Sequence, residues 1–207
     1  MSSTKESLNI LSMVKLGLIL ALYSAVACVG LAFVYTGTKD IIDLNREADR
    51  YQALQIVFPT AENFNPVSGI SSSDPVITIE DSYAAMRSGE IIGIAIQASR
   101  FSYSGPIVVL VGVGIDGRIS GIQILENTDT PGLGSNAHSP NYFIDRANGI
   151  RFYEQFSGKE VSDPFIPKQD VVAIAAATIT SRAVASSVKV AGEAGMAWFA
   201  GQQGGRR

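Results

Sequence analysis

The hydrophobic pattern divides the chain into one unbroken apolar run and a longer stretch of mixed periodicity. Leu16 to Tyr35 reads LGLILALYSAVACVGLAFVY, 20 residues without a charge. A helix rises about 1.5 Å per residue, so about 20 residues cross a hydrocarbon core of about 30 Å. The run is predicted to be a transmembrane helix. Lys15 precedes it, Thr36, Gly37, Thr38 and Lys39 follow it, and Tyr23 and Tyr35 are placed to reach an interface. A cleaved signal peptide needs a shorter apolar region and a small-residue cleavage site. Ala25-Val26-Ala27-Cys28 loosely matches such a site and also a lipoprotein box, which would put a lipid on Cys28. The apolar run continues past Cys28 to Tyr35, which fits a retained anchor better. Flanking charges (Lys5 and Lys15 before; Lys39, Arg46 and Arg50 after, mixed with acids) barely discriminate an orientation. A long domain after an N-terminal anchor most often lies outside the cytoplasm. The expected division is residues 1–37 as the N-terminal segment with the span, and 38–207 as an extracytoplasmic domain.

Beyond the span the periodicity changes. Ile41, Ile42, Leu44, Ala48, Tyr51, Leu54 and Val57 form a rough apolar stripe, which predicts a helix that Thr38 can cap. Pro59 to Pro75 is polar and rich in Ser, Asn and Pro, and reads as a loop. Val76 to Glu80 alternates, and Glu90 to Phe101 is rich in Ile. Gly105 to Leu125 reads as a hairpin turning at Asp116-Gly117. A long loop is expected from Glu126 to about Tyr142, then a short amphipathic segment from Ala147 to Gly158 and an apolar run from Val171 to Ala177. Thr178 to about Phe199 has a helical pattern, with Val184, Val188 and Ala191 on one face. The prediction is an α+β fold: one transmembrane helix followed by one mixed domain with mostly antiparallel strands.

Composition narrows the chemistry. The chain has 207 residues, 46% of them hydrophobic and 17% charged, and its mean hydropathy is positive, which the apolar run largely explains. A net charge of −3 implies no broad basic surface, which argues against nucleic acid as a partner. One Cys and one His exclude an internal disulfide framework and a His/Cys zinc cage. A Ser-His-Asp machine would rest on His138 alone. A chain so poor in catalytic side chains binds something or takes its chemistry from a cofactor.

Gly112-Val113-Gly114-Ile115-Asp116-Gly117 spells G-x-G-x-x-G. A dinucleotide site needs a helix directly afterwards, with its N-terminus against the pyrophosphate. Arg118 to Ile124 alternates like a strand instead, so these glycines read as strand and hairpin punctuation. Two other segments carry candidate chemistry. In Asp129-Thr130-Pro131-Gly132-Leu133-Gly134 the Pro and Gly residues make a turn whose amides are free to face a ligand, or an ordinary surface turn. In Ala175-Ala176-Ala177-Thr178-Ile179-Thr180-Ser181-Arg182 small residues lead into hydroxyls at a helix start. Free amides there favour phosphate, and plain N-capping is the alternative.

In this order, behind an anchor and a β-rich middle, the segments resemble the FMN-binding G subunit of the Rnf electron-transport complex. They are similar, more distantly, to the C subunit of the sodium-translocating NADH:quinone reductase. The resemblance covers nearly the whole chain. It includes Tyr103-Ser104-Gly105-Pro106-Ile107, Gly112 to Gly121, Thr130 to Gly134 and Phe152 to Lys159. In that family the phosphate of FMN esterifies a Thr within D-x-x-S-G-A-T-x-T-S. By position the modified residue is Thr178, followed by the matching Ile179-Thr180-Ser181. The family's Asp falls on Val172, its Ser on Ala175 and its Gly on Ala176, with Asp170 nearby; the Glu before T-P-G-L-G is Asp129.

The resemblance implies an electron-carrier subunit with covalent FMN, held at the bacterial cytoplasmic membrane in an ion-translocating oxidoreductase. Its partners would be the other membrane and peripheral subunits, with a separate flavin transferase for maturation. The noncovalent shell would be Thr130, Pro131, Gly132, Leu133 and Gly134, with Thr180 and Ser181 near the phosphate. Tyr103, Tyr142 and Phe143 could offer ring contacts or serve as core and loop aromatics. An anchored scaffold or binding subunit without flavin is the alternative, favoured by the changes at Val172, Ala175 and Ala176. A lipoprotein binding a small solute is a third reading, which lipid on Cys28 would favour.

Overall fold

A computed structural model describes residues 10–204 of the chain, and Lys5 lies outside them. The fold divides into two compact units, one ending at Asp49 and the other beginning at Arg50. Helix α1 spans Ile10–Val57. Within it, the 28 residues Ser12–Lys39 are long and apolar enough to cross a membrane. The expected break after the span is absent. Thr38 does not cap a new helix, because its hydroxyl donates back to Val34 O at 2.8 Å, as Thr36 does to Ala32 O at 2.8 Å. Such back-bonding satisfies the hydroxyl inside a continuing helix. No proline interrupts the stretch.

The second unit is built on a five-stranded antiparallel meander, in the order β1 (Asn63–Pro66), β2 (Ile77–Arg87), β3 (Glu90–Phe101), β4 (Pro106–Gly114) and β5 (Ile119–Asn127). The hairpin between β4 and β5 turns at Asp116-Gly117, where Gly117 has φ +77°. The strand β1 lies in the segment expected to be loop. It pairs only with β2, and its residues Asn-Phe-Asn-Pro carry no alternation that sequence reading could catch. The apolar run 171–177 forms one isolated bridge, Val171 with Pro167, and is otherwise irregular. Val171, Ile174 and Ala177 are buried, while Val172, Ala175 and Ala176 face outward.

Both faces of the central strands are covered, which is why β4 reads as a continuous apolar run. On one face lies α2 (Thr178–Gly204). Its Val184, Val188 and Ala191, all fully buried, meet Ile94, Ile96, Val109, Val111 and Val113. Each Val or Ile of this set contributes about 1.5–3 kcal/mol by leaving water. On the other face Ala53, Leu54, Val57 and Phe58 pack on Ala85, Ala95 and Leu110. This packing is close. A Cβ on Gly93 would overlap the Phe58 ring, and one on Gly112 would overlap Val57 and Ser120. Within the G-x-G-x-x-G spelling Gly112 therefore makes room for a helix end on the sheet, Gly117 serves the hairpin turn, and no helix follows it.

A two-stranded ribbon, β6 (Phe143–Asp145) with β7 (Ile150–Arg151), and short 3-10 turns at Gly134–Ala137 and Glu154–Phe156 complete the unit. Phe152 and Phe156 meet edge to face at 5.6 Å, and Phe165 stacks on Phe156 at 6.3 Å. This aromatic group backs the segment that leads into α2.

Candidate functional site

Three segments meet at the start of α2: the loop between β3 and β4 (102–105), the turn after β5 (129–134), and residues 175–180. Asp129 joins them. One carboxylate oxygen accepts the Ser102 hydroxyl at 2.5 Å and the Thr180 hydroxyl at 2.6 Å. The other accepts the backbone N–H groups of Tyr103 at 3.1 Å and Ser104 at 2.8 Å. Asp129 is 5% exposed. Burial pushes its pKa up, but the hydrogen bonds from Ser102, Thr180, Ser104 and Tyr103 outweigh that and hold it below the ordinary carboxylate value. The corner is tight as well. A Cβ on Gly134 would come within 2.5 Å of the Thr180 hydroxyl and 2.6 Å of Asp129 Cβ.

The turn itself is more self-contained than its sequence suggests. The N–H of Gly132 donates to Ser135 Oγ at 3.0 Å and that of Leu133 to Thr130 O at 3.1 Å. Those amides, expected to face a ligand, are engaged inside the turn. Asn127 holds the far end by donating to Gly134 O at 3.0 Å.

The segment before α2 is tied on several sides. The Gln155 amide pairs with the backbone of Val172, accepting its N–H at 2.7 Å and donating to its carbonyl at 3.2 Å. The Tyr142 hydroxyl accepts the N–H of Ala175 at 3.2 Å. The Ser181 hydroxyl accepts the N–H of Ile174 at 2.9 Å and donates to Ala177 O at 2.9 Å. Ala176, at the family's Gly position, has φ +57°, the left-handed region that glycine adopts without cost. Thr178 is the first residue of α2 and is half-buried. The first intrahelical bond runs from Ser181 N–H to Ala177 O. The N–H groups of Thr178, Ile179 and Thr180 precede it, as at any helix N-terminus.

Thr178 borders two clefts. The first, of about 530 Å³, is lined by Tyr103, Asp129, Thr130, Leu133, Gly134 and Ala176 to Thr180. The second, of about 500 Å³, lies along Lys168 to Ala176 and again reaches Thr178. Both volumes fall in the range of small-molecule sites. The first has the exposed apolar side chains of Tyr103, Leu133 and Ile179 on its walls, and the small residues Gly134, Ala176 and Ala177 leave room for a flat ring. A polar wall with an apolar rim beside free helix amides suits a flavin with its phosphate at the helix start.

Of the residues expected around a flavin, Thr178, Thr130, Leu133, Gly134, Thr180 and Tyr103 line this cleft. Pro131 and Gly132 form the turn behind it. Ser181 is fully buried and its hydroxyl is engaged with the backbone. Tyr142 supports the loop, and Phe143 lies under the Arg151 guanidinium at 5.4 Å. Sequence reading missed Ser102 and the joining role of Asp129. The only signal for the latter was an acidic residue directly before the Thr-Pro-Gly turn.

Asp170 stands near the family's Asp position and does separate work. It accepts the N–H groups of Phe165 at 3.0 Å and Ile166 at 2.6 Å, and pairs with Lys159 at 3.3 Å. Burial raises its pKa, and these contacts together lower it below the ordinary value.

Comparison with known proteins agrees with this geometry. Residues 102–193 match the family described as FMN-binding domain, and residues 1–57 match the RnfG N-terminal region. The chain is 32% identical over 194 residues to the G subunit of the Na(+)-translocating ferredoxin:NAD(+) oxidoreductase complex of Acetobacterium woodii, covering 85% of this chain and 88% of that one. It is 29% identical over 192 residues to the G subunit of the ion-translocating oxidoreductase complex of Methanosarcina acetivorans, covering 91% and 94%. The G subunit of the proton-translocating ferredoxin:NAD(+) oxidoreductase complex of Clostridium ljungdahlii is 29% identical over 168 residues, covering 79% and 80%. Matches of this extent run through the apolar helix, sheet and cleft alike, and the chain belongs to the family of G subunits of Rnf-type ion-translocating oxidoreductase complexes, with an FMN-binding domain.

Proposed function

We propose that this chain is a membrane-anchored electron-carrier subunit of an Rnf-type complex, relaying electrons through FMN joined by a phosphoester bond to Thr178. The observation that carries the reading is the position of Thr178. It is the first residue of α2, half-exposed, on the edge of a cleft with an apolar rim and beside amides free of helix bonding. When bound, the isoalloxazine supplies the ability to accept and donate electrons. The chain supplies the rest. The N–H groups at the start of α2 face the phosphate, Tyr103, Leu133 and Ile179 exclude water from the ring, and Thr130 offers a hydroxyl on the wall, while the buried Thr180 hydroxyl stays with Asp129.

The arrangement also supports a separate transferase. A Thr hydroxyl is a weak nucleophile and needs a base. The two carboxylates on the clefts, Asp129 and Asp170, have their oxygens engaged by donors and their pKa values lowered, so neither is poised to take the Thr178 proton. The transferase would bring FAD and the base. The Thr178 Oγ–P bond forms, the pyrophosphate bond breaks, AMP leaves, and the hydroxyl proton passes to the transferase. Residues 38–207 are read as the extracytoplasmic FMN-binding part, and residues 16–35 as the single span of the cytoplasmic membrane.

The outward-facing Val172, Ala175 and Ala176 favour the second reading, a subunit of the same complex without flavin. One experiment separates the two. The full chain is co-expressed with a flavin transferase, purified in detergent and weighed intact. The FMN-carrying reading expects the mass of one FMN phosphoester on the chain and its complete loss in Thr178→Ala. Unmodified mass in the parent chain selects the second reading, and flavin retained by the Ala variant moves the attachment elsewhere.

A further inference from the structure

We propose that Asp129 is a positioning residue for the flavin site: it locks the Ser102–Ser104 loop to the start of α2 and keeps a fixed negative charge on the cleft wall beside Thr178, which holds the reduction potential of the bound flavin down. This rests on the reading of Thr178 as the FMN attachment point.

The first part follows from the four hydrogen bonds. Asp129 accepts from residues 25 to 51 positions away in the chain, so one side chain fixes two other segments that line the cleft. Gly134 closes on the same corner, since a Cβ there would meet both Thr180 and Asp129. A shift of Asp129 therefore moves the floor of the cleft and the first turn of α2 together.

The second part follows from the kind of partner. All four contacts are donors aimed at the carboxylate. Two are backbone N–H groups, which cannot turn and accept, so the arrangement fits the ionised form. Among the described residues no Lys, Arg or His pairs with Asp129. Its charge is offset only by hydrogen bonds and by the partial positive charge of the helix start. A buried anion without a cation is costly for a purely structural device, and such groups concentrate at functional sites. Electrons added to a ring in this cleft add negative charge near a fixed anion, and the low local dielectric strengthens the repulsion. The family's Glu carries the same charge on a longer stem.

Asp129→Asn separates the two parts. Its amide oxygen still accepts from Tyr103 and Ser104, and its NH2 donates to the Ser102 and Thr180 hydroxyls, so the tie persists and the charge goes. The full chain, co-expressed with a flavin transferase and purified in detergent, is weighed and its flavin titrated with a reductant while absorbance is followed. Asp129→Asn is expected to keep full FMN mass and to shift the reduction equilibrium at least tenfold toward the reduced side, about 30 mV for a two-electron couple. Asp129→Glu, which keeps the charge, is expected to stay within about threefold of the parent by the same titration. Asp129→Ala breaks the tie and is expected to load at least fivefold less FMN. If the Ala variant fails to fold, the Asn and Glu variants still decide. An unchanged potential in Asp129→Asn overturns the charge role, and its failure to take FMN overturns the separation of charge from tie. A parent chain that loads no FMN sinks the functional reading itself, whereas a loaded parent with an indifferent Asn variant sinks only this proposal.

Discussion

The chain has two glycine-bearing stretches that look alike in sequence, 112–117 and 129–134, and the fold uses them in opposite ways. In the first, glycine makes room for protein. Gly112 lets Val57 and Phe58 lie directly on the sheet. In the second, the tight glycine is Gly134, which lets Thr180 and Asp129 close a corner while the adjoining cleft stays open. The difference is legible only from the element that comes after each stretch. After 117 comes a strand, which lacks the converging free amides of a helix start. After 134 the chain returns through a long excursion to the start of α2, where free amides and a half-exposed Thr wait.

That contrast can be broken from either side. The largest effect is expected from Gly112→Ala, whose methyl group overlaps Val57 and Ser120. Overpacking of this kind costs about 3 kcal/mol. Thermal unfolding should show the loss, with flavin loading reduced only as far as folded protein is reduced. Gly134→Ala forces a methyl group against Thr180 and Asp129. It should cost about 2 kcal/mol, and here FMN incorporation should fall by more than the loss of folded protein accounts for. Equal behaviour of the two variants would erase the distinction.

Acid sharpens the same corner. Asp129 has its pKa lowered by folding, so its stabilisation is present above the unfolded carboxylate value of about 3.9 and is lost as pH falls through the folded value. Acid unfolding of the parent should therefore steepen below about pH 4. Asp129→Asn should be less stable than the parent at neutral pH, and the gap should close in acid. A gap that stays constant with pH would mean the carboxylate is not held in this way. The smallest effect is expected at Ala176. A left-handed non-glycine residue costs about 1–2 kcal/mol, and glycine returns part of that as unfolded-state entropy. Ala176→Gly should gain about 0.5 kcal/mol in thermal unfolding with loading unchanged.

The elements with strong periodicity were legible from the sequence. β3 runs over the stretch expected, the Asp116-Gly117 turn sits at its expected place, and Val184, Val188 and Ala191 form one buried face. The continuation of the helix past the apolar run was not, because Thr38 looks like a cap in sequence, yet its hydroxyl and that of Thr36 bond backwards inside an unbroken helix. The residues bordering the cleft were legible as types of residue, hydroxyls and small side chains at a helix start. Asp129 was not legible as their link. Its partners Ser102 and Thr180 lie 27 and 51 residues away, and no local pattern encodes a contact that only the meander creates.

The Gln155 amide grips Val172 as a neighbouring strand would, Tyr142 takes the N–H of Ala175, and Ser181 takes that of Ile174. These three holds come from outside the stretch that leads up to Thr178. A short synthetic peptide copied from residues 172–180 would carry none of them. The shape of this stretch is therefore a property of the assembled domain, and whatever recognises it as shaped here meets the folded chain rather than the bare segment.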